Sequence, residues 1–252
     1  INQVDQMKLV FKEFNLKTSV IKQDVEPLVE KILQYMDEKN GGFKGAPKFP
    51  QLYIFDTIFY FYNKNKKNTF LDVVRKLLNN ISSKGIYDHL GGGISRYTVD
   101  EKWIVPHFEK MLYDNILFVR TVNNYLVNKQ DKKLNDKLIQ TINFVNNEFL
   151  NDKNLLGSAY DADSEGIEGK YYVWSNEEIK RLLGNHIDIF KKKYLVTKEG
   201  NFEGSNILIE NDNFELNENE LEIIYKSEKK LLDERKKREK PFFDDKSQTD
   251  LN

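Results

Sequence analysis

Cysteine is absent from the 252 residues. Disulfides, thiolate metal sites and thiol redox chemistry are therefore excluded on this chain. Neither sign of charge is in surplus: 39 Lys and Arg stand against 40 Asp and Glu, for a net charge of -1. No general electrostatic attraction to nucleic acid or to an anionic membrane is expected, so neither is expected as a partner. No apolar run approaches the ~20 residues of a membrane span. The opening stretch from Ile1 to Phe14 lacks the basic segment and apolar core of a secretory signal. The first residue is not Met, so residues ahead of Ile1 are expected to be missing, and the expected location is the cytoplasm. What the chain does have is core material. It is 39% hydrophobic and 13% aromatic, with 17 Phe and 13 Tyr, enough to pack one large domain or two small ones.

Apolar residues recur at helical spacing through most of the chain. Val25, Leu28, Val29, Ile32, Leu33 and Met36 predict a helix from Asp24 to Lys39, stopped by Gly41-Gly42. Further helices are expected over Gln51 to Tyr62, Phe70 to Ser83, Pro106 to Val127, Lys132 to Leu150, Asn176 to Leu183 (with Ser175 as its cap) and Leu216 to Lys240. The charge run Leu231 to Lys240 reads as a solvated helix face, with Arg235 and Arg238 at one-turn spacing. Gly-rich loops at 41–50, 85–97 and 157–166 separate the helices with a weak period of about 50–65 residues. Helical hairpins with ligand loops at one end predict a solenoid closed into a ring, or part of one. Ser158 to Asp163 and Lys170 to Trp174 are strand-like and are expected to pair as one β-hairpin on the rim. A dinucleotide-binding reading of Gly91-Gly92-Gly93 fails for want of the strand and spacing. A calcium-loop reading from Asp161 fails because its twelfth position is Tyr172.

Proton-transfer groups stand in the loops. His107 follows Pro106, a favoured first helical residue. A His in a first turn would face the positive helix end and stay neutral near pH 7, fit to act as a base; otherwise it only hydrogen-bonds a loop. Glu109 follows, and Lys110 and Asp114 are one turn apart and expected to pair. Asp161 and Asp163 are two apart on a strand, hence on one side, and close carboxylates push their pKa values apart. Asp88, His89 and Arg96 bracket the triple-Gly turn, where backbone can approach a ligand and Arg96 can hold a carboxylate, phosphate or hydroxyl. The plainer alternative is a turn whose Asp88 caps local amides. Trp103 and Trp174 are candidates to stack on a sugar ring, though such aromatics are more often core.

Several motifs together resemble one family. They are Gly41-Gly42-Phe43 with Ala46-Pro47-Lys48-Phe49-Pro50, Ile86 to Gly93, Arg96-Tyr97, Val105 to Asn115, Ser158-Ala159, Asp161 to Gly166, Glu168-Gly169-Lys170, Tyr172-Val173-Trp174, Gly200 to Gly204, and Arg235, Arg238, Pro241 with Asp244-Asp245-Lys246. These resemble the thioredoxin-domain proteins related to spermatogenesis-associated protein 20. The resemblance implies an all-α (α/α)6 toroid, similar to N-acylglucosamine 2-epimerase and the six-hairpin glycosidases, preceded by a thioredoxin-like domain. Residues 1–20 are then a linker after that domain, and 21–252 the N-terminal part of an incomplete toroid with a β-hairpin insertion near 158–174. The thioredoxin-like domain itself is absent, and after Lys246 the residues Gln248 and Leu251 depart from the family's pattern. About half a ring is present, which predicts an apolar seam near Phe242 and Phe243 and a tendency to associate.

The expected function is acid/base chemistry on a sugar-like small molecule, without metal or cofactor. His107 is the base, Asp161 or Asp163 the acid, and Glu109 a further catalytic carboxylate. Asp88, His89, Arg96, Trp103 and Trp174 bind substrate, joined by Lys170 and Glu203 from two of the matched motifs. The alternative is a non-catalytic binding or scaffold module serving a thioredoxin-like domain. The two separate on whether these groups converge on one rim.

Overall fold

A computed structural model describes residues 25–212 and 214–250; the expected linker at 1–20 lies outside the described residues. The first helix, α1 (Glu26–Ile32), is shorter than its periodicity predicts. It tightens into a 3-10 turn at Leu33–Tyr35, because Met36 is already extended and bridges Phe43 across the Gly41-Gly42 turn. Two helical hairpins follow. The helix α2 (Leu52–Asn65) ends on Lys66 in the left-handed region, whose amide donates to the Tyr62 carbonyl. Next comes α3 (Asn68–Ser83). With so short a connection, it must run back along α2. The second pair is α4 (Leu112–Asn128) and α5 (Lys132–Phe144), the latter capped by Asp131 and continued as a π turn over Val145–Phe149. α2 lies against α4 and α3 against α5, giving two helical layers. The space between is filled by fully buried Phe55, Phe70, Val74, Leu77 and Phe118. Each such side chain contributes on the order of 1.5–3 kcal/mol.

The second half is smaller. α6 (Asn176–Leu183) has Ser175 as its cap, as expected. α7 (Ile187–Lys193) follows. A capping box between Asn217 and Glu220 opens α8 (Glu218–Arg235). The three surround Trp174, Phe190, Tyr194, Ile224 and Leu231. The expected helical hairpins are therefore what the chain forms, with short strands between them.

Those strands depart from the sequence reading in two places. Residues 106–111 do not begin a helix. β2 (Pro106–His107) pairs with β1 (Tyr97–Thr98), and β3 (Lys110–Met111) joins a three-stranded sheet with β4 (Ala159–Tyr160) and β7 (Phe243–Asp244). Pro106, Phe108 and Lys110 are buried while His107, Glu109 and Met111 are half-buried. That is the period of a strand, not of a helix. The second departure is the hairpin. The short hairpin within 158–174 is β5 (Asp163–Ser164) with β6 (Ile167–Glu168), turned at Glu165-Gly166. Lys170 to Val173 is not a strand. Gly169 takes φ +74 with its Cα against the Phe108 ring, where a Cβ would meet ring carbon at 2.4 Å, and this turns the chain away.

Two glycines separate conformational strain from crowding. Both Gly92 (φ +86) and Gly166 (φ +72) need the left-handed region, but a Cβ on Gly166 meets nothing within 4 Å, whereas one on Gly92 comes within 2.7 Å of the Gln140 carbonyl oxygen. Gly166→Ala is expected to cost about 1 kcal/mol from backbone strain alone. Gly92→Ala is expected to cost about 3 kcal/mol, because backbone must also shift. Urea unfolding of the two variants checks the difference; equal losses would contradict it.

Candidate active site

The alternation along 106–111 sorts the chemistry-bearing residues of this segment onto two sides. On the outer side His107 stacks on Tyr97 at 4.9 Å between centroids, and Tyr97 lies 4.7 Å from Phe49. His107 Nδ1 is 2.8 Å from Glu168 Oε1, so the carboxylate engages one ring nitrogen and leaves Nε2 for other work. Glu109 accepts from Arg96 at 3.0 Å, and the backbone amide of Arg96 donates to the Glu109 carbonyl. In the first turn of α4, Asp114 is 9% exposed. Burial pushes its carboxyl up to about 7, Arg96 opposing and Glu109 reinforcing the shift. Its Oδ2 has no hydrogen-bond partner, and neither has the buried Nε of Arg96. A carboxyl balanced near neutral pH beside a polar atom without a partner is the kind of group that exchanges protons with a ligand.

On the inner side Lys110 meets Asp88 instead of its expected partner Asp114. Strand geometry turns Lys110 inward while Asp114 belongs to the helix. Lys110 Nζ donates to Asp88 Oδ2 and to the Gly92 carbonyl, each at 2.8 Å. Arg235 grips both Asp88 oxygens at 2.8 Å, and the amides of Leu90 and Gly91 donate to Oδ1. Burial alone would raise the Asp88 carboxyl, but Arg235 and Lys110 hold it well below the usual carboxylate range. Arg235, expected on a solvated face, is 4% exposed. Arg238 covers Trp174 at 3.9 Å and donates to Glu178 and to the carbonyls of Tyr171 and Val173.

His89 is buried in a second polar cluster. Its Nε2–H donates to the Lys84 carbonyl at 3.1 Å, and its Nδ1 accepts from Lys137 at 3.1 Å. The Glu210 carboxylate also lies 3.5 Å from Nδ1 and favours the charged ring, but burial outweighs it, and with Nε2–H given to Lys84 the neutral ring keeps a lone pair on Nδ1 for Lys137. Burial, with Lys137 beside it, lowers the imidazole to about 4. Glu210 completes the cluster, paired with Lys133 at 2.5 Å and Lys137 at 3.3 Å.

The structure thus brings His107, Glu109 and Arg96 to one side, with Asp163 joined to them through its strand partner Glu168. Asp161 is exposed one residue beyond the β3–β4 pairing, its Oδ1 accepting from the amide of Ala162. Asp88 and His89 are not with them: they lie on the inner side, and their polar atoms serve the fold. The two tryptophans are not available for stacking on a ligand. Trp103 and Trp174 are both 0% exposed. Trp103 donates to the Asn40 carbonyl and packs under Lys48, which pairs with Asp37 at 2.6 Å. Lys170, paired with Glu165 at 2.7 Å, and Glu203 line an open groove that also touches Glu168. Asp114 was expected only as an ion-pair partner. What sets it apart is burial in the first turn of α4, which local sequence does not show. Among the described residues, no group of three His, Asp or Glu is placed to hold a metal.

His89 and Asp114 impose opposite pH dependences on stability. The His89 pKa is depressed on folding, so its contribution is lost as pH falls from about 6.5 to about 4. The Asp114 pKa is raised, so stability is lost as pH rises from about 4 to about 7. Each shift corresponds to about 3–4 kcal/mol, and the two oppose each other in one window. Asp114→Asn should leave a stability that rises between pH 4 and 6.5, and His89→Gln one that falls between pH 4 and 7. Chemical denaturation across that range checks the slopes; slopes of the same sign would contradict the assignment.

No protein-family model matches the chain. Spermatogenesis-associated protein 20 of Homo sapiens is 29% identical over 248 residues, covering 83% of this chain and 32% of that protein. The Mus musculus protein of the same name is 30% identical over 189 residues, covering 67% of this chain and 24% of its own length. An uncharacterised protein of Caenorhabditis elegans is 33% identical over 163 residues, covering 59% of this chain and 22% of its own. Solved structures similar to the chain include a sugar epimerase from a ruminal bacterium (TM-score 0.47, 15% identity, 85% of this chain and 67% of that one) and the cellobiose 2-epimerase of Spirochaeta thermophila (TM-score 0.46, 15% identity, 55% and 41%). No helix among the described residues is long and apolar enough to cross a membrane. The chain is a homologue of the spermatogenesis-associated protein 20 proteins and spans about a third or less of their length.

Proposed function

We propose that the outer side of the 106–111 strand is an acid/base site for a sugar-like small molecule, with His107 as base and Asp114 as acid. The observation that carries this reading is the pair of buried polar atoms without partners, Asp114 Oδ2 and Arg96 Nε. Burying such atoms costs about 1–3 kcal/mol each, a cost that hydrogen bonds to a ligand admitted by a shift of the part-exposed Arg96 side chain would relieve. The adjoining wall of Phe49 and Tyr97 gives the apolar surface that polar rings use, and Glu109, Asp161 and Asp163 supply acceptors for hydroxyls. Lys170, Glu203 and Glu168 extend the surface along the neighbouring groove.

The chemistry is proton transfer next to a carbonyl. His107 Nε2 takes the proton from the carbon beside the carbonyl of an open-chain sugar. The C–H electron pair becomes a C=C bond, and the carbonyl oxygen takes the Asp114 proton, giving an enediol. Return of the His107 proton to that carbon, with the O–H proton passing back to Asp114, restores the sugar with solvent hydrogen exchanged in; its delivery to the former carbonyl carbon, with the other enediol O–H proton passing to Asp114, isomerises the sugar. Glu168 fixes the His107 ring and stabilises the imidazolium that forms. The reaction needs Asp114 protonated, so the rate should decline as pH rises past about 7.

The test is exchange in D2O. Glucose and mannose incubated with the protein should lose the C2 proton signal in NMR spectra, and His107→Gln and Asp114→Asn should each slow this by about 100-fold or more. Exchange that both variants leave intact would remove the assignment, and its absence with every reducing sugar tried would remove the activity.

A further inference from the structure

The inner side of the same strand borders a separate cavity of about 230 Å³, between the end of α5, β4 and the last turn of α8. Its floor is the ion cluster of Asp88, Lys110 and Arg235, and aromatic rings of Phe144, Tyr160, Tyr171 and Tyr172 form the walls. Four cations line it, Lys110, Arg235, Lys236 and Lys240, against two carboxylates, Asp88 and Glu148, a surplus of two positive charges. The surplus can be located. Lys240 is paired with Glu148 at 2.7 Å. The single charge of Asp88 is shared by Lys110 and Arg235, which are 1% and 4% exposed. One buried positive charge is therefore uncompensated at the floor, and Lys236 adds another at the exposed mouth. Arg235 Nε is also buried without a partner.

A buried surplus charge is costly to desolvate. Ring faces offset part of it: Tyr172 lies 5.0 Å from Lys110 Nζ and 5.5 Å from Arg235 Cζ, and Phe144 lies 4.3 Å from Lys110 Nζ. These contacts supply no net negative charge. A ligand anion would, and a guanidinium with a spare N–H is suited to receive one. The exposed amides of Asn143 and Asn147 stand at the mouth, where they can bond hydroxyls of the same ligand.

We infer that this cavity is a second ligand site, distinct from the outer one, which takes a compact, hydroxyl-bearing molecule carrying a carboxylate or phosphate. The ion cluster then serves twice: Asp88 holds the two cations in place, and their excess charge binds the ligand.

Calorimetric titration at constant ionic strength tests this with glucose 6-phosphate, gluconate and uncharged glucose as probes. One or both anions should bind saturably, at least about tenfold more tightly than glucose, and the stronger of the two identifies the anionic group. Lys236→Glu and Asn147→Asp place negative charge at the mouth on exposed residues and should weaken binding by about tenfold. Lys230→Glu, an exposed charge reversal elsewhere on α8, should change it by less than about twofold. Thermal melts confirm that the variants fold. The inference is overturned if neither anion binds saturably, if glucose binds as well as they do, or if Lys230→Glu weakens binding as much as the mouth variants. Because His107 and Asp114 lie on the other side, loss of this binding and loss of proton exchange are separate results.

Discussion

Three distant pieces of the chain meet on one carboxylate. Asp88 lies in the Gly-rich turn, Lys110 in β3, and Arg235 at the end of α8, 147 residues away in sequence. An ion cluster this deeply buried is a poor source of net stability, since desolvating the charges offsets much of their attraction. Its effect is on specificity. Removing Asp88 would leave two buried cations without their carboxylate, which costs about 3–5 kcal/mol, so packings of α8 or of the turn that part Asp88 from them are penalised. Gly91 allows the close approach: a Cβ there would sit 2.2 Å from Arg235. With the cluster formed, Lys110 must point inward, and the alternation of the strand then sends His107 and Glu109 outward.

That alternation explains why neighbouring residues in one motif have different roles. Phe108 and Lys110 are committed to the interior, where Phe108 stacks on Tyr172 and packs against Phe202. Glu109 and His107 remain half-buried, each tied to one partner, Arg96 and Glu168. The start of α4 immediately after the strand holds Asp114 within the electrostatic reach of Arg96 and Glu109, buried enough to raise its pKa. The same short segment thus anchors the fold on one side and presents titratable groups on the other.

Much of the helical architecture was legible because its signals are local. The stripe from Phe70 to Ile81 and the Ser175 cap each follow from neighbouring residues. The β-layer was less legible. Each strand there is two residues long, and its partners lie 8 to 85 residues away, too far for local periodicity to register. Pro106 followed by apolar residues satisfies a helix start equally well, and only pairing with Tyr97 and Tyr160 decides against it. The site shows the same division. Grouping of His107, Glu109 and Arg96 could be read from the motif, but Asp88, Trp103 and Trp174 look like ligand-facing groups until burial is known. Arg235 looks like a surface charge for the same reason: its partner is 147 residues away.

On the outer side of the strand, burial leaves the Asp114 carboxyl between its charged and neutral forms near neutral pH. The most direct test is the carbon-13 titration of the aspartate carboxyl signals in the labelled protein. One aspartate signal should titrate near pH 7, be missing from the Asp114→Asn spectrum, and shift its midpoint when a sugar ligand is bound. If every aspartate titrates below about pH 5, within the ordinary range of the side chain, Asp114 is a charged structural residue and the account of the site is wrong.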